Sequence, residues 1–436
     1  MIQLLLLTLK NKELMLVGFG QFFSVFASFI FIKLVSHYAT VAEYGLYALA
    51  LTIAGFIGLF PFSAFDQAVS RYISIYQTEN EYPKNYTNIL LIYGGLIVIY
   101  LVIVFFIKDF IKAAIPSDIL TIFLALISYT VFNIVRITLL NIENANRNRH
   151  VIVGSKLFEG VARITLLIIF IYYYTNTPNA SDLLNITTLV FFLNSIYLLY
   201  KNRSALTVAG INISTSKKNL VYYFTFSAPL LIWSGFSWLQ SFLPIWFLKY
   251  YGVDNSTYLV GQFAMLNTIG ALIPAQVVGV ISMYIAPIVY QKEPEQPGYA
   301  KGVINQIIRY LSLVFLLSFV LLFLFHEQVM LLLSSEQYVS SSWLLPYAFL
   351  GAVFFGIGQL WTIELFTYHQ TKKLLMANIA PSLIALLLSN WLIPQFNIVG
   401  AVISLSLAGF FYMVLVFDAK MRFATRQNNN LISGRK

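Results

Sequence analysis

Apolar residues run along this chain in long blocks, and polar residues gather in short clusters between them. A helix that spans a bilayer needs about 20 mostly apolar residues. Stretches of that kind occur twelve times. The first six are Leu14 to Ser36, Gly45 to Gln67, Thr87 to Ile107, Asp118 to Leu140, Val151 to Tyr174 and Leu183 to Tyr200. The second six are Val221 to Lys249, Tyr258 to Tyr290, Val303 to Phe325, Ser342 to Phe366, Leu374 to Ile393 and Ile398 to Phe417. The pattern predicts an all-α polytopic membrane protein with twelve transmembrane helices. The seventh and eighth stretches are long and hold Pro229, Pro244, Pro274 and Pro287. Proline removes a backbone donor and crowds the preceding turn, so bends or interruptions are expected there. No connection exceeds about 20 residues, short of the roughly 50 that a folded extramembrane domain needs. What this chain does, it does within the bilayer.

Composition closes off the soluble alternatives. Of 436 residues, 59% are hydrophobic and 10% charged, whereas a soluble domain is about a quarter charged. The net charge is +10, and its distribution assigns it to sidedness, so no nucleic-acid partner is expected. With the N-terminus in the cytoplasm, nineteen Lys and Arg residues fall on the inner side and only Lys108, Lys112 and Lys249 on the outer. Basic residues resist translocation, so both termini are placed inside, in keeping with an even span count. The remaining five, Lys33, Arg136, Lys156, Arg163 and Arg309, lie within spans. Met1 to Leu9 is apolar but is followed by Lys10, Lys12 and Glu13 with no small-residue cleavage site, which reads as a short interfacial helix and not a signal peptide. The chain has no cysteine, which removes disulfides, thiolate metal sites and a cysteine nucleophile; no metal centre and no organic cofactor are expected.

The two halves resemble each other. Tyr44-Gly45-Leu46-Tyr47-Ala48 opens the second span, and Val260-Gly261-Gln262-Phe263-Ala264 lies in the eighth. Pro61 answers Pro274, Tyr72-Ile73 answers Tyr284-Ile285, and Arg149-His150 before the fifth span answers Lys372-Lys373 before the eleventh. Six spans per copy give both copies one orientation, a parallel repeat used by transporters whose site lies between the halves. The expected lobes are residues 1–210 and 211–436, each of six helices, around a central cavity.

Val41-Ala42-Glu43-Tyr44-Gly45-Leu46-Tyr47-Ala48 and Phe65-Asp66-Gln67-Ala68-Val69-Ser70-Arg71-Tyr72 are similar to the start of the Wzx-type polysaccharide flippases. Leu392-Ile393-Pro394-Gln395-Phe396-Asn397-Ile398-Val399-Gly400-Ala401 resembles the turn between their last two spans, with Asn397 where the family often has glycine. The resemblance implies membership of the multidrug, oligosaccharidyl-lipid and polysaccharide exporter superfamily. It also implies a bacterial inner-membrane location and a role in O-antigen or other lipopolysaccharide biosynthesis. The implied substrate is a lipid-linked oligosaccharide carried on undecaprenyl pyrophosphate, with H+ or Na+ as coupling ion. Membrane lipid and a polysaccharide polymerase are the implied partners of a protein that works as a monomer.

A charge at mid-membrane costs about 3 kcal/mol on insertion scales, so each one is a functional candidate. Lys33, Arg136, Arg309 and Glu364 sit within a turn or two of a span end, where a long side chain can reach the interface. The fifth span differs. Lys156, Glu159 and Arg163 are spaced by three and four and so share one helix face. Arg163 lies about 18 Å along that span, near the middle of a core about 30 Å thick. That face either pins the lobe together as a compensated set, with Arg163 and Lys156 neutralising Glu159, or lines a wet cavity. Asp66, near the inner end of the second span, either caps against Arg71 or belongs to the same polar surface; the matching region of the eighth span, around Val278 and Gly279, has no carboxylate. The substrate-binding candidates are therefore Arg163, Lys156, Arg136 and Lys33, and the coupling or charge-partner candidates Glu159, Asp66 and Glu364.

Three functional classes follow. A flippase needs basic residues for a pyrophosphate and a polar path for sugar hydroxyls, each costing several kcal/mol if buried unpaired. A multidrug exporter of the same superfamily, acting on cationic drugs, needs buried carboxylates without compensating bases. A glycan-processing membrane enzyme is disfavoured because His37, His150, His326 and His369 all lie near span ends and the outer connections are short. Nor does a Gly-x-x-x-x-Gly-Lys-Ser/Thr sequence for nucleotide occur. The sidedness is directly testable: a reporter fused after Asn179 should read outside and one after Gln427 inside, and two readings from the same side would overturn the topology.

Overall fold

The computed structural model describes residues 12–69, 73, 82–114, 117–206, 213–252, 255–293, 295–368 and 371–432. Its regular elements are helices: α1 (Lys12–Tyr38), α2 (Val41–Ile57), α3 (Tyr82–Ala114), the short α4 (Ser117–Thr121), α5 (Phe123–Ala145), α6 (Arg149–Tyr173) and α7 (Ala180–Lys201). They continue as α8 (Ile213–Tyr251), α9 (Ser256–Lys292), α10 (Tyr299–Leu333), α11 (Leu345–Thr367), α12 (Thr371–Phe396) and α13 (Ile398–Ile432). Two compact units result, Met1–Gly235 and Phe236–Lys436.

Ten helices among the described residues are long and apolar enough to cross a membrane. The two remaining expected spans depart from that description for separate reasons. α6 has 25 residues, but Lys156, Glu159 and Arg163 interrupt its apolar run. α2 has 17 residues and passes into a π-helical turn, Gly58–Ser63, in which Phe60 leaves helical space at φ −121°, ψ 102°. Phe60 precedes Pro61, whose ring disfavours the α region for the residue before it. Helix resumes over 64–69. The long helices behave differently: Pro229 and Pro244 lie within α8, and Pro274 and Pro287 within α9, without ending either. Helical geometry is left instead at Phe60 and, within α10, at Phe325.

Each unit packs its helices in the same pairwise order. In the first, α5 packs on α7, α1 on α6, α6 on α7, and α2 on α5. In the second, the corresponding pairs are α11 on α13, α12 on α13 and α9 on α11, while Ser382 of α12 donates to the Phe236 carbonyl of α8 at 2.7 Å. The apolar clusters match too: one unit buries Phe62, Phe65, Tyr93 and Ile134, the other Val278, Ile304, Phe349 and Ile357. The repeat extends to polar detail. Glu143, near the end of α5, accepts from Asn202 at the end of α7 and from Asn148 at 2.7 Å. Glu364, near the end of α11, pairs with Lys420 of α13 at 2.9 Å. Asn202 and Lys420 stand equally far from the starts of their helices, Ala180 and Ile398.

Two turns explain local sequence choices. Asn397, between α12 and α13, has φ +49°, the left-handed region where glycine is the default and asparagine the best-tolerated alternative. Its departure from glycine therefore keeps the turn. Glu293, the C-cap of α9, accepts from the backbone N–H of Ala300 at 2.6 Å, from Tyr368 Oη at 2.5 Å and from the N–H of Gly298 at 2.7 Å. Burial opposes ionisation there, but those donors outweigh it and hold the Glu293 carboxyl below its ordinary value.

α1 and α6 run parallel at close range because glycines remove side-chain bulk from the seam. A Cβ at Gly160 would fall 2.8 Å from Ala27 Cβ and 2.9 Å from the Phe23 ring, and one at Gly20 would fall 2.9 Å from Val153. Gly18 faces open space, with nothing within 4 Å. Gly160→Leu should force the pair apart and lower the unfolding midpoint by the equivalent of about 1–3 kcal/mol, with reduced membrane abundance. Gly18→Leu should leave both unchanged; equal damage from the two would refute the seam.

Candidate functional site

The charged face of α6 is built into the first unit by three neighbours. Arg136 of α5 places Nη1 3.0 Å from both carboxylate oxygens of Glu159 and donates through Nη2 to Asn133 Oδ1 at 2.8 Å. Asn194 of α7 donates to the same carboxylate at 2.5 Å and to Ser155 at 2.7 Å. Lys156 donates to Gln21 of α1 at 2.6 Å. Glu159 is therefore neutralised from α5, not by the bases that flank it on its own helix. Arg136 does not reach for the interface as its place near a span end suggested; it turns inward.

That leaves Arg163. No hydrogen bond and no carboxylate engages it among the described residues, and its buried Nε has no partner. Its guanidinium instead lies 5.2 Å from the centroid of Phe31 and 5.5 Å from that of Phe191. Arg136 stands over Phe191 too, at 4.1 Å, so one ring sits in the reach of two cations; such contacts hold a cation by attraction to the ring face. Arg163, Lys156 and Glu159, with Ser24, Ser28 and Phe31 of α1, line a cavity of about 40 Å³. That volume accommodates about one water, whose share of liquid is about 30 Å³.

The other candidates lie apart from this cluster. Lys33 is half-buried in the last turns of α1. Asp66, 5% exposed, accepts from Tyr93 Oη at 2.6 Å and Thr138 Oγ1 at 3.2 Å; the expected partner Arg71 lies outside the described residues. Glu364 belongs to the second unit, where it and Lys420 are each 5% exposed. Lys420 also donates to Asn305 at 2.6 Å. Glu364 thus does not extend to the interface but forms a buried ion pair.

Sequence reasoning missed Asn194, Gln21, Phe31 and Phe191. A signal existed for the amides: Gln21 and Asn194 are lone carboxamides inside apolar runs, and a polar group at that depth needs a partner. Nothing in sequence singles out Phe31 or Phe191 among 38 phenylalanines.

No family model and no curated relative matches the chain. Solved structures do. The lipid II flippase MurJ in an inward closed conformation superposes with a TM-score of 0.68 at 14% identity, over 93% of this chain and 87% of MurJ. An inward-facing multidrug resistance MATE transporter of the MOP superfamily gives 0.69 at 14% identity, over 96% and 99% of the two chains. The Vibrio cholerae MATE transporter VcmN, as a point mutant, gives 0.66 at 14% identity, over 96% and 97%. This is the fold of MOP transporters. The proteins that share it are multi-pass transporters and flippases and not enzymes, and the apolar helices of this chain fit the same membrane setting.

Stability should separate the two arginines of this MOP-type unit. Arg136→Ala strands the Glu159 carboxylate and should cost about 3–5 kcal/mol, with partial recovery in the double variant Arg136→Ala, Glu159→Gln. Arg163→Ala strands nothing and should leave the unfolding midpoint of the detergent-purified protein unchanged or higher. A larger loss from Arg163→Ala than from Arg136→Ala would contradict the pairing.

Proposed function

We propose that the chain is a twelve-span flippase of the Wzx type. On this reading it moves an undecaprenyl-pyrophosphate-linked oligosaccharide from the cytoplasmic to the outer leaflet of the bacterial inner membrane by alternating access. It works as a monomer with both termini in the cytoplasm and supplies a polysaccharide polymerase. The observation that carries the reading is Arg163: a guanidinium within α6, lining a cavity it shares with Lys156 and Glu159, that makes no ion pair and no hydrogen bond among the described residues. A half-buried cation without an ion pair favours an anion, and the planar fork matches two phosphate oxygens at once. Lys156 adds positive charge to the same cavity, while Arg136 is committed to Glu159.

The energetics agree. Outward movement of an anion is favoured by about 2.3 kcal/mol per charge per 100 mV of inside-negative potential. Coupling to an ion adds to this. Of the three candidate carboxylates, Glu159 and Glu364 are neutralised by Arg136 and Lys420, whereas Asp66 is held by neutral donors. Asp66 is therefore the residue we assign to proton exchange. It is also the one feature that favours the second reading, a cation-exporting multidrug transporter, since a drug cation would seek such a carboxylate; the uncompensated Arg163 opposes it.

The deciding measurement is surface glycan in a flippase-null strain, normalised to membrane abundance of the variant. Arg163→Ala should abolish display at normal abundance, and Arg163→Lys should retain part of it because an ammonium binds phosphate as a point charge. Adding Glu159→Gln to Arg163→Ala should restore nothing. Full display by Arg163→Ala would overturn the assignment.

A further inference from the structure

The second unit encloses a larger cavity of different chemistry. It has a volume of about 230 Å³ and is walled by α8, α9, α11 and α13. Alanines at 271, 275 and 352 leave the space open, and no charged residue stands on the wall. Its polar groups are neutral: the carboxamides of Gln240, Asn267 and Gln359 and the hydroxyl of Ser241. Gln240 is 3% exposed, and its buried Oε1 has no hydrogen-bond partner among the described residues. Such an acceptor is unfavourable left alone, and an exception of this kind points to a group that completes it. The cavity also has an aromatic wall, Phe355, backed by Tyr412 with ring centroids 4.7 Å apart and planes at 34°.

Ligand classes can be sorted by what the wall lacks. An anion finds no cation there, and a drug cation or a divalent metal finds no carboxylate. A purely apolar ligand would bury the amides unpaired. A neutral ring with apolar C–H faces and equatorial hydroxyls satisfies every element: its face lies on Phe355, and its hydroxyls exchange hydrogen bonds with the amides, which both donate and accept. The volume corresponds to about eight waters at roughly 30 Å³ each, the space of one sugar ring and not of an oligosaccharide.

We propose that this cavity is a subsite for a single uncharged pyranose residue, the part of the cargo that reads sugar identity. The proposal rests on the flippase reading for its biological ligand, but the cavity's chemistry can be tested without export. Saturation-transfer NMR would be run on the purified full-length protein in a detergent without a sugar headgroup, with methyl glucoside, galactose and N-acetylglucosamine as probes. At least one probe should receive saturation on its ring protons. Gln240→Met, which keeps the shape and removes the amide, and Ala271→Leu, which fills the space, should each weaken that signal about tenfold; Gly18→Leu, at an open position of the first unit, should leave it unchanged. Ala352→Val serves as a second filling variant if Ala271→Leu lowers the unfolding midpoint. No transfer to any probe, or transfer that survives both Gln240→Met and a folded filling variant, would overturn the subsite. Loss of export in Arg163→Ala with no sugar signal would reject the subsite and keep the flippase; sugar binding lost in the cavity variants while Arg163→Ala exports normally would keep the subsite and reject the phosphate assignment.

Discussion

A charge held at membrane depth must be neutralised within reach of its own side chain, because hydrocarbon offers no alternative solvent. The Arg136–Glu159 pair meets that constraint in the first unit. It joins α5 to α6, and Asn194 ties α7 to the same carboxylate, so three helices converge on one negative charge. Because Arg136 satisfies Glu159, Arg163 is left without a carboxylate. On the proposed reading, the pairing of one arginine within the unit is what leaves the other available for cargo.

The helices and their limits were largely legible in the sequence because apolar length is a local property. The sites were legible as a set of residues but not as a set of partners. Lys156, Glu159 and Arg163 share a face, as their spacing required, yet the pairings run from Glu159 to Arg136 and from Lys156 to Gln21. Those contacts join distant segments, and no periodicity encodes them. Position near a span end misled for Arg136 and Glu364, since tertiary neighbours offered each a nearer counter-charge than the interface. The prolines of α8 and α9 end neither helix, because a proline predicts lost hydrogen bonds but not whether packing carries the helix through them.

The duplication shows how far the units have diverged chemically while keeping one packing plan. At the matched position, Asn202 meets Glu143 in one unit and Lys420 meets Glu364 in the other. The cavities differ in the same spirit: one is lined by Lys156, Glu159 and Arg163, the other by neutral amides, a hydroxyl and Phe355. The proposed cargo, with an anionic end and an uncharged glycan, presents both chemistries.

The break at Phe60 bears on Asp66. An unbroken second helix would carry Asp66 along the axis of α2. Only Phe60 leaves helical space there, with helix again over 64–69, so Asp66 lies more than a turn past the break, on a segment whose direction the break resets. That redirected segment brings the carboxylate to two hydroxyls carried by other helices, Tyr93 of α3 and Thr138 of α5, and Pro61 is the residue that disfavours helix at Phe60.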